Sequence, residues 1–333
     1  MTRPIRRILV AVKDMHRHNS PALRKAAALA RALGARLELF HAMTEPLAVE
    51  ALLMAGMSVK KYQDEEQQRH VKRLERLAAP LRRQGLEIAT CAEWDYPAHE
   101  AVIRRANRSK ADLIIAERHD TKHLAPWLLR YADWELLRQS PVPVLLVKTR
   151  RPYDSLSVLA AIDPSHVFAK TSQLDDTILQ LGVQLKTALR GRLHVLHTYV
   201  PTLMGIAPTE LTAPDATARI LTHAGTTAKA GFDKALRSAR LERLPTSCRH
   251  VIARHAVDAI PELARELGSG IVIMGALSRS GLKRVVIGNT AERVLDELPC
   301  DLLIAKPRGF VSRVPARSRG PLLISLGLPP GVV

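Results

Sequence analysis

The sequence predicts two consecutive doubly wound α/β domains, each a parallel five-stranded sheet covered by helices. Three observations carry that prediction. At 333 residues the chain is too long for one ordinary domain and suits two. Strand-like apolar runs alternate with amphipathic helical stretches along its whole length, and the alternation occurs twice in the same order. The composition is 47% hydrophobic but only 4% aromatic, so the cores must be built from Ala, Val, Ile and Leu, the residues of helices packed on parallel strands.

The elements follow in order. RRILVAVKD reads as a strand. SPALRKAAALARALG reads as a helix with Ser20 as N-cap, Pro21 at its first position and Gly34 as its stop. ARLELFHAM is a second strand, and a long charged helix is expected from about Leu47 to Gln84. LEIATCAEW, PAHEAVIRRANRSK, ADLIIAE, DWELLRQS and PVPVLLVK then alternate strand and helix to close the first copy. The second copy runs through SLSVLAAID, a helix around Asp175 to Leu189, RLHVLHTYV, a helix around Asp215 to Arg240, SCRHVIARH, AVDAIPELARELGS, GIVIMGA, TAERVLDEL and CDLLIAKP. ARLELFHA matches RLHVLHT, and PVPVLLVK matches PCDLLIAK, so duplication explains the order. The expected domains are 1–150 and 151–307, with TRRPYDS as linker. A flexible basic tail, rich in Gly, Pro, Ser and Arg, is expected over 308–333. The strands read as continuous apolar runs, which implies parallel sheets with helices on both faces. Ligand sites in such sheets lie at the carboxyl ends of the strands.

Several functional classes are excluded by what the sequence lacks. Cys91, Cys248 and Cys300 are far apart and form no C-x-x-C, which points away from a disulfide framework or a thiolate zinc site and toward a cytoplasmic setting. No run approaches the roughly 20 apolar residues of a membrane span, and the charged N-terminal stretch does not read as a signal peptide. The net charge of +18 is spread over helix faces beside Glu and Asp, without stacking aromatics, so nucleic acid is not the expected partner. G-x-S-x-G, H-E-x-x-H and Walker loops are absent, and dedicated catalysis is unsupported.

The most informative segment is GIVIMGALSRSGLKRVVIGNTAERVL. A strand ends at Met274 and Gly275, a loop carries Ser278 and Arg279, and Gly288, Asn289 and Thr290 open a helix. Small residues let backbone N–H groups approach phosphate oxygens, and a helix N-terminus offers unpaired donors and partial positive charge. The plainer reading is a loop that merely turns before an ordinary helix cap.

This segment resembles the universal stress protein family, whose nucleotide binders carry G-x2-G-x9-G-[S/T] before the last helix. Gly275 and Gly288 fit the first and third glycines, while Ser278 replaces the second and Asn289 stands where Ser or Thr is usual. The resemblance spans residues 3 to 307 and extends to the tandem E-type subgroup, in which only the second domain keeps the loop. It implies an adenine nucleotide alpha hydrolase-like fold with strand order 3-2-1-4-5. It also implies that Asp163 meets the sugar, that Met274 and the backbone near Val200 meet the base, and that Gly275, Ser278, Gly288, Asn289 and Thr290 hold phosphates with Arg279 in support. The implied ligand is ATP, ADP or AMP, with magnesium left open, and the implied role is regulation of a stress response with at most slow hydrolysis. In the first copy Glu117 takes the first glycine's place and Asp133–Trp134 stand where Gly-Ser would be, so that loop reads as degenerate. The family also implies an internal pseudo-dimer through the last strands, and leaves a homodimer open.

Two alternatives stay beside this reading. The chain can be a nucleotide-independent scaffold recruiting protein or nucleic acid. His16, His18, His119 and His123, with Asp120, are weak candidates for a metal site, because imidazoles and a carboxylate suit zinc. His41 and His197, which end the second strands, read as hydrogen-bonded structural histidines, and His250 and His255 read likewise beside the third.

Overall fold

The computed structural model describes residues 4–17, 19–118, 126–153, 156–165, 169–201, 216–275 and 289–324, with side chains described except at 126–131, 169–172, 216–217 and 289–292. The chain divides into two compact units. One is Ile5–Val147 joined by residues 311–324, and the other centres on Lys148–Phe310.

In the first unit, β1 (Arg7–Ala11), β2 (Arg36–Met43), β4 (Ile88–Trp94), β5 (Leu113–Glu117) and β6 (Val144–Val147) lie in the order β4-β2-β1-β5-β6, all parallel. Helices α1 (Pro21–Leu33), α3 (Val59–Arg82), α4 (Ala98–Arg108) and α5 (Pro126–Gln139) alternate with them. Numbered along this unit, the order is the expected 3-2-1-4-5. Helix α1 starts where the sequence says it must: Ser20 Oγ accepts from Leu23 N–H at 3.2 Å. It stops at Gly34, whose φ of 62° is left-handed backbone that favours glycine.

Two expectations in this unit change. The helix expected from Leu47 to Gln84 is three elements: β3 (Leu47–Ala48), α2 (Val49–Met54) and α3. Gly56, at a φ of 67°, turns the chain, and Ser58 Oγ restarts it by accepting from Lys61 N–H at 3.4 Å. Helix α5 begins at Pro126 rather than near Asp133, because PWLLRYADWELLRQ contains no breaker after its first-turn proline.

The second unit repeats the plan. β7 (Ser157–Ile162), β8 (Arg192–Tyr199), β9 (Arg249–Ala253), β10 (Ile271–Gly275) and β11 (Asp301–Ala305) lie in the order β9-β8-β7-β10-β11, again parallel. Between them run α6 (Ala169–Ala188), α7 (Ala216–Ser238), α8 (Ala256–Glu266) and α9 (Asn289–Glu297). Val158, Leu159 and Ala160 on β7, Ile271 to Ile273 on β10 and Leu302 to Leu303 on β11 are fully buried. Each such Val, Leu or Ile contributes roughly 1.5–3 kcal/mol by leaving water. The linker is stitched to this unit. The backbone N–H groups of Lys148 and Thr149 donate to Asp301 Oδ1 at 2.9 and 3.0 Å, and Tyr153 OH donates to Oδ2 at 2.6 Å.

The tail expected to be flexible from residue 308 is instead held to the first unit at points between residues 315 and 324. Its β12 (Leu323–Ile324) pairs in parallel with β3, and Arg319 reaches two carboxylates of the first unit. Composition misled here because Pro and Gly suppress regular structure without preventing specific side-chain anchoring.

Candidate functional site

At the carboxyl edge of the second sheet the ends of β7 and β10 lie side by side, and α9 is the next described element along the chain. Asp163 follows β7, and Met274 and Gly275 close β10. Asn289 and Thr290 form the first turn of α9, as the sequence predicts, although their side chains are not among the described ones. Ser278, Arg279 and Gly288 lie outside the described residues. Val200, just past β8, is 40% exposed.

Asp163 is more constrained than its sequence context suggests. Its backbone N–H donates to Asp175 Oδ1 at 3.1 Å, and Ser165 Oγ donates to its own Oδ1. Asp175 projects from α6 and is only 6% exposed. Burial, then the charges of Asp163 and Asp176, push its carboxyl up to about 7, with the Asp163 N–H pulling the other way. Sequence reasoning missed Asp175. Its signal was an acid in the buried stripe of Leu174, Ile178, Leu179, Leu181 and Leu185. Gly275 has a packing role of its own, since a Cβ there would stand 2.5 Å from Leu174 Cδ2.

The first unit shows what the same edge becomes with other residues. His41 Nδ1 lies 2.8 Å from Val12 O, and His197 Nδ1 lies 3.4 Å from Ile162 O, so the two structural histidines hold equivalent carbonyls. With Val12 matched to Ile162, Lys13 occupies the place of Asp163. The register Ala11↔Ala116, carried one residue on, sets Glu117 beside Val12. Likewise Ala160↔Ile273, carried two residues on, sets Gly275 beside Ile162. Glu117 therefore stands in Gly275's place, as the sequence predicts. Lys13 Nζ donates to Asp133 Oδ1 and to Glu117 O, both at 2.7 Å. Burial lowers its pKa, against the pull of Asp133. The charge after the first strand is thus reversed between the two units. A cavity of about 290 Å³ in the first unit, lined by Arg7, Arg36, Glu38 and Glu87, lies at the opposite, amino ends of its strands.

The chain's likeness to known proteins agrees with this duplicated plan. The model of the universal stress protein family matches it twice, over residues 4–148 and 157–306. The chain belongs to the universal stress protein family. A relative named Universal stress protein E, from Photorhabdus laumondii, is 27% identical over 320 residues, covering 91% of this chain and 95% of that one. The tandem E-type resemblance is therefore borne out. In fold, the universal stress chain resembles a solved protein of unknown function from Pseudomonas aeruginosa PAO1, with a TM-score of 0.69 at 24% identity, covering 91% of this chain and 93% of that one. Shorter universal stress proteins have been solved in complex with cAMP and with dAMP, aligned to 46% and 44% of this chain at TM-scores of 0.26 and 0.32, and those ligands are properties of those proteins.

The remaining candidates resolve differently. His16 is described, with its backbone N–H donating to Asp14 Oδ1 at 2.8 Å, whereas His18, His119 and His123 lie outside the described residues. Among the described residues, no group of three or more His, Cys, Asp or Glu could hold a metal ion. His194 Nδ1 and His250 Nε2 are 3.1 Å apart, and burial holds both rings below the usual histidine range. One ring must then donate to the other. Burial pushes the Cys91 thiol up to about 12, which removes it as a nucleophile near neutrality. Among the described residues, no helix is long and apolar enough to cross a membrane.

Proposed function

We propose that this universal stress protein binds an adenine nucleotide at the carboxyl edge of its second unit, and that occupancy regulates a stress response. The observation that carries the reading is the contrast between equivalent positions: Asp163 and Gly275 in the second unit against Lys13 and Glu117 in the first. A carboxylate after the first strand accepts ribose hydroxyls, whereas an ammonium paired with Asp133 does not. A glycine at the end of the fourth strand brings no charge, its Cβ space being taken by Leu174, whereas a glutamate brings negative charge toward phosphate. In this reading Met274 contacts the base, and Gly275, Ser278, Gly288, Asn289 and Thr290 hold ATP, ADP or AMP. The N-terminus of α9 supplies backbone donors and Arg279 adds charge. The first unit is the degenerate copy, and a cytoplasmic location accords with three cysteines that form no disulfide.

The test is calorimetric titration of the full chain with ATP, ADP and AMP, with and without magnesium. Asp163→Ala should weaken binding about tenfold, the order expected for losing a charged hydrogen-bond acceptor, and Gly288→Asp should abolish it. Equal affinity in wild type and Gly288→Asp would overturn the site. A wild type that neither copurifies with nor binds a nucleotide would return the chain to the scaffold alternative.

A further inference from the structure

The bound C-terminal segment meets the first unit through groups that form a socket. Asp95 is 0% and Arg104 2% exposed. Arg104 Nε and Nη2 donate to the two Asp95 oxygens at 2.7 and 2.8 Å, while Nη1 donates to Glu100 Oε2 at 2.9 Å. Two carboxylates against one guanidinium leave this cluster one negative charge in excess. Arg319 supplies the balancing cation. Its Nη2 donates to Glu100 Oε1 at 3.0 Å, its backbone N–H donates to Asp95 Oδ1 at 3.0 Å, and its guanidinium lies 5.8 Å from the Tyr96 ring centre.

On either side of that anchor the segment is held by its backbone. Arg104 Nη1 also reaches Pro315 O at 3.4 Å, and Leu47 N–H donates to Leu322 O at 2.8 Å, where β12 adds to β3 as a second strand. Added-strand pairing with one charged anchor is a recurring form of peptide recognition. Asp95 follows β4 and Leu47 follows β2, so the segment lies at the carboxyl ends of the strands, where this architecture takes ligands. Its hold is polar rather than apolar: the Arg319 side chain is 45% exposed, Leu323 54% and Val311 83%.

We propose that this face of the first unit is a binding site for an extended, arginine-bearing peptide, occupied here by the chain's own residues 315–324, which act as a displaceable strap. The unit that lacks the Asp163 and Gly275 pattern thereby has a ligand of a different chemical class. Attachment to the same chain gives the strap an effective concentration of order mM, so a free peptide must first find the socket vacated.

The test uses the full-length chain, as wild type and as Arg319→Ala, with a labelled synthetic peptide of residues 311–324. Arg319→Ala should speed amide hydrogen exchange at Leu47 by about tenfold or more, the order expected for losing a charge-assisted anchor, while amides of β1 and β5 keep their protection. The Arg319→Ala chain should bind the peptide about tenfold or more tightly than wild type does, by release of the competing strap. A peptide carrying Arg319→Ala should bind neither chain. Glu100→Gln gives the complementary check, since it spares the strap's sequence and weakens the socket. Unchanged exchange at Leu47 in Arg319→Ala overturns the anchor, and failure of that chain to bind the peptide overturns the site.

Discussion

Replacing Asp175 by Asn isolates the most unusual charge at the candidate site. The amide keeps an oxygen for the Asp163 N–H but cannot ionise. In the wild type the carboxyl rises from an ordinary 3.8 to about 7, chiefly through burial. Below about pH 4 both folded and unfolded chains carry the proton, and the group has no effect on stability. Between about pH 4 and 7 the unfolded chain releases its proton while the folded chain keeps it, so stability falls as pH rises, and above about 7 the loss is complete. At about 1.4 kcal/mol per pH unit the full displacement corresponds to about 4 kcal/mol, and local relaxation leaves about 2–4 kcal/mol. Asp175→Asn should remove that fall. Urea unfolding between about pH 4 and 8 measures it, and the sequence provides an internal control: Trp94, Trp127 and Trp134 all lie in the first half. Tryptophan fluorescence therefore follows the first unit, whereas circular dichroism follows both. A variant whose pH dependence equals that of wild type, or one equally destabilised at both ends of the range, would refute the reasoning.

Two substitutions test the packing that supports each site. Gly191→Ala places a Cβ 2.0 Å from the backbone oxygen of Leu156, an atom that cannot swing aside, so it should destabilise the second unit by about 2–3 kcal/mol in circular-dichroism melts, without moving the tryptophan signal. Arg104→Met strands the fully buried Asp95 and should cost the first unit about 3–5 kcal/mol by tryptophan fluorescence, with the loss shrinking in Arg104→Met/Asp95→Leu.

Particular residues mark how far the sequence could be read. Ser20, Pro21 and Gly34 fix both ends of α1 from within a few residues, and the structure agrees at each. The two copies of the apolar strand pattern were legible because burial on both faces leaves continuous runs of Val, Ile and Leu. The place of Glu117 opposite Gly275 was legible too, since the repeat aligns the copies. Lys13 at the position of Asp163 was not, because strand ends can be matched only through the register that His41 and His197 reveal. Asp175 marked only the approximate start of a helix in the sequence, and the fold sets its carboxylate against the backbone N–H of Asp163.

By itself the sequence determined the duplicated α/β plan and the exchange of Gly275 for Glu117 between its copies, because periodicity, caps and turn residues act over a few positions. Only the tertiary structure decided that Asp175 meets Asp163, that Lys13 closes on Asp133, and that Arg319 finds Asp95 and Glu100 some 220 residues away. Those pairings depend on which charges the fold strips of water at the same place, and no local pattern of residues records that.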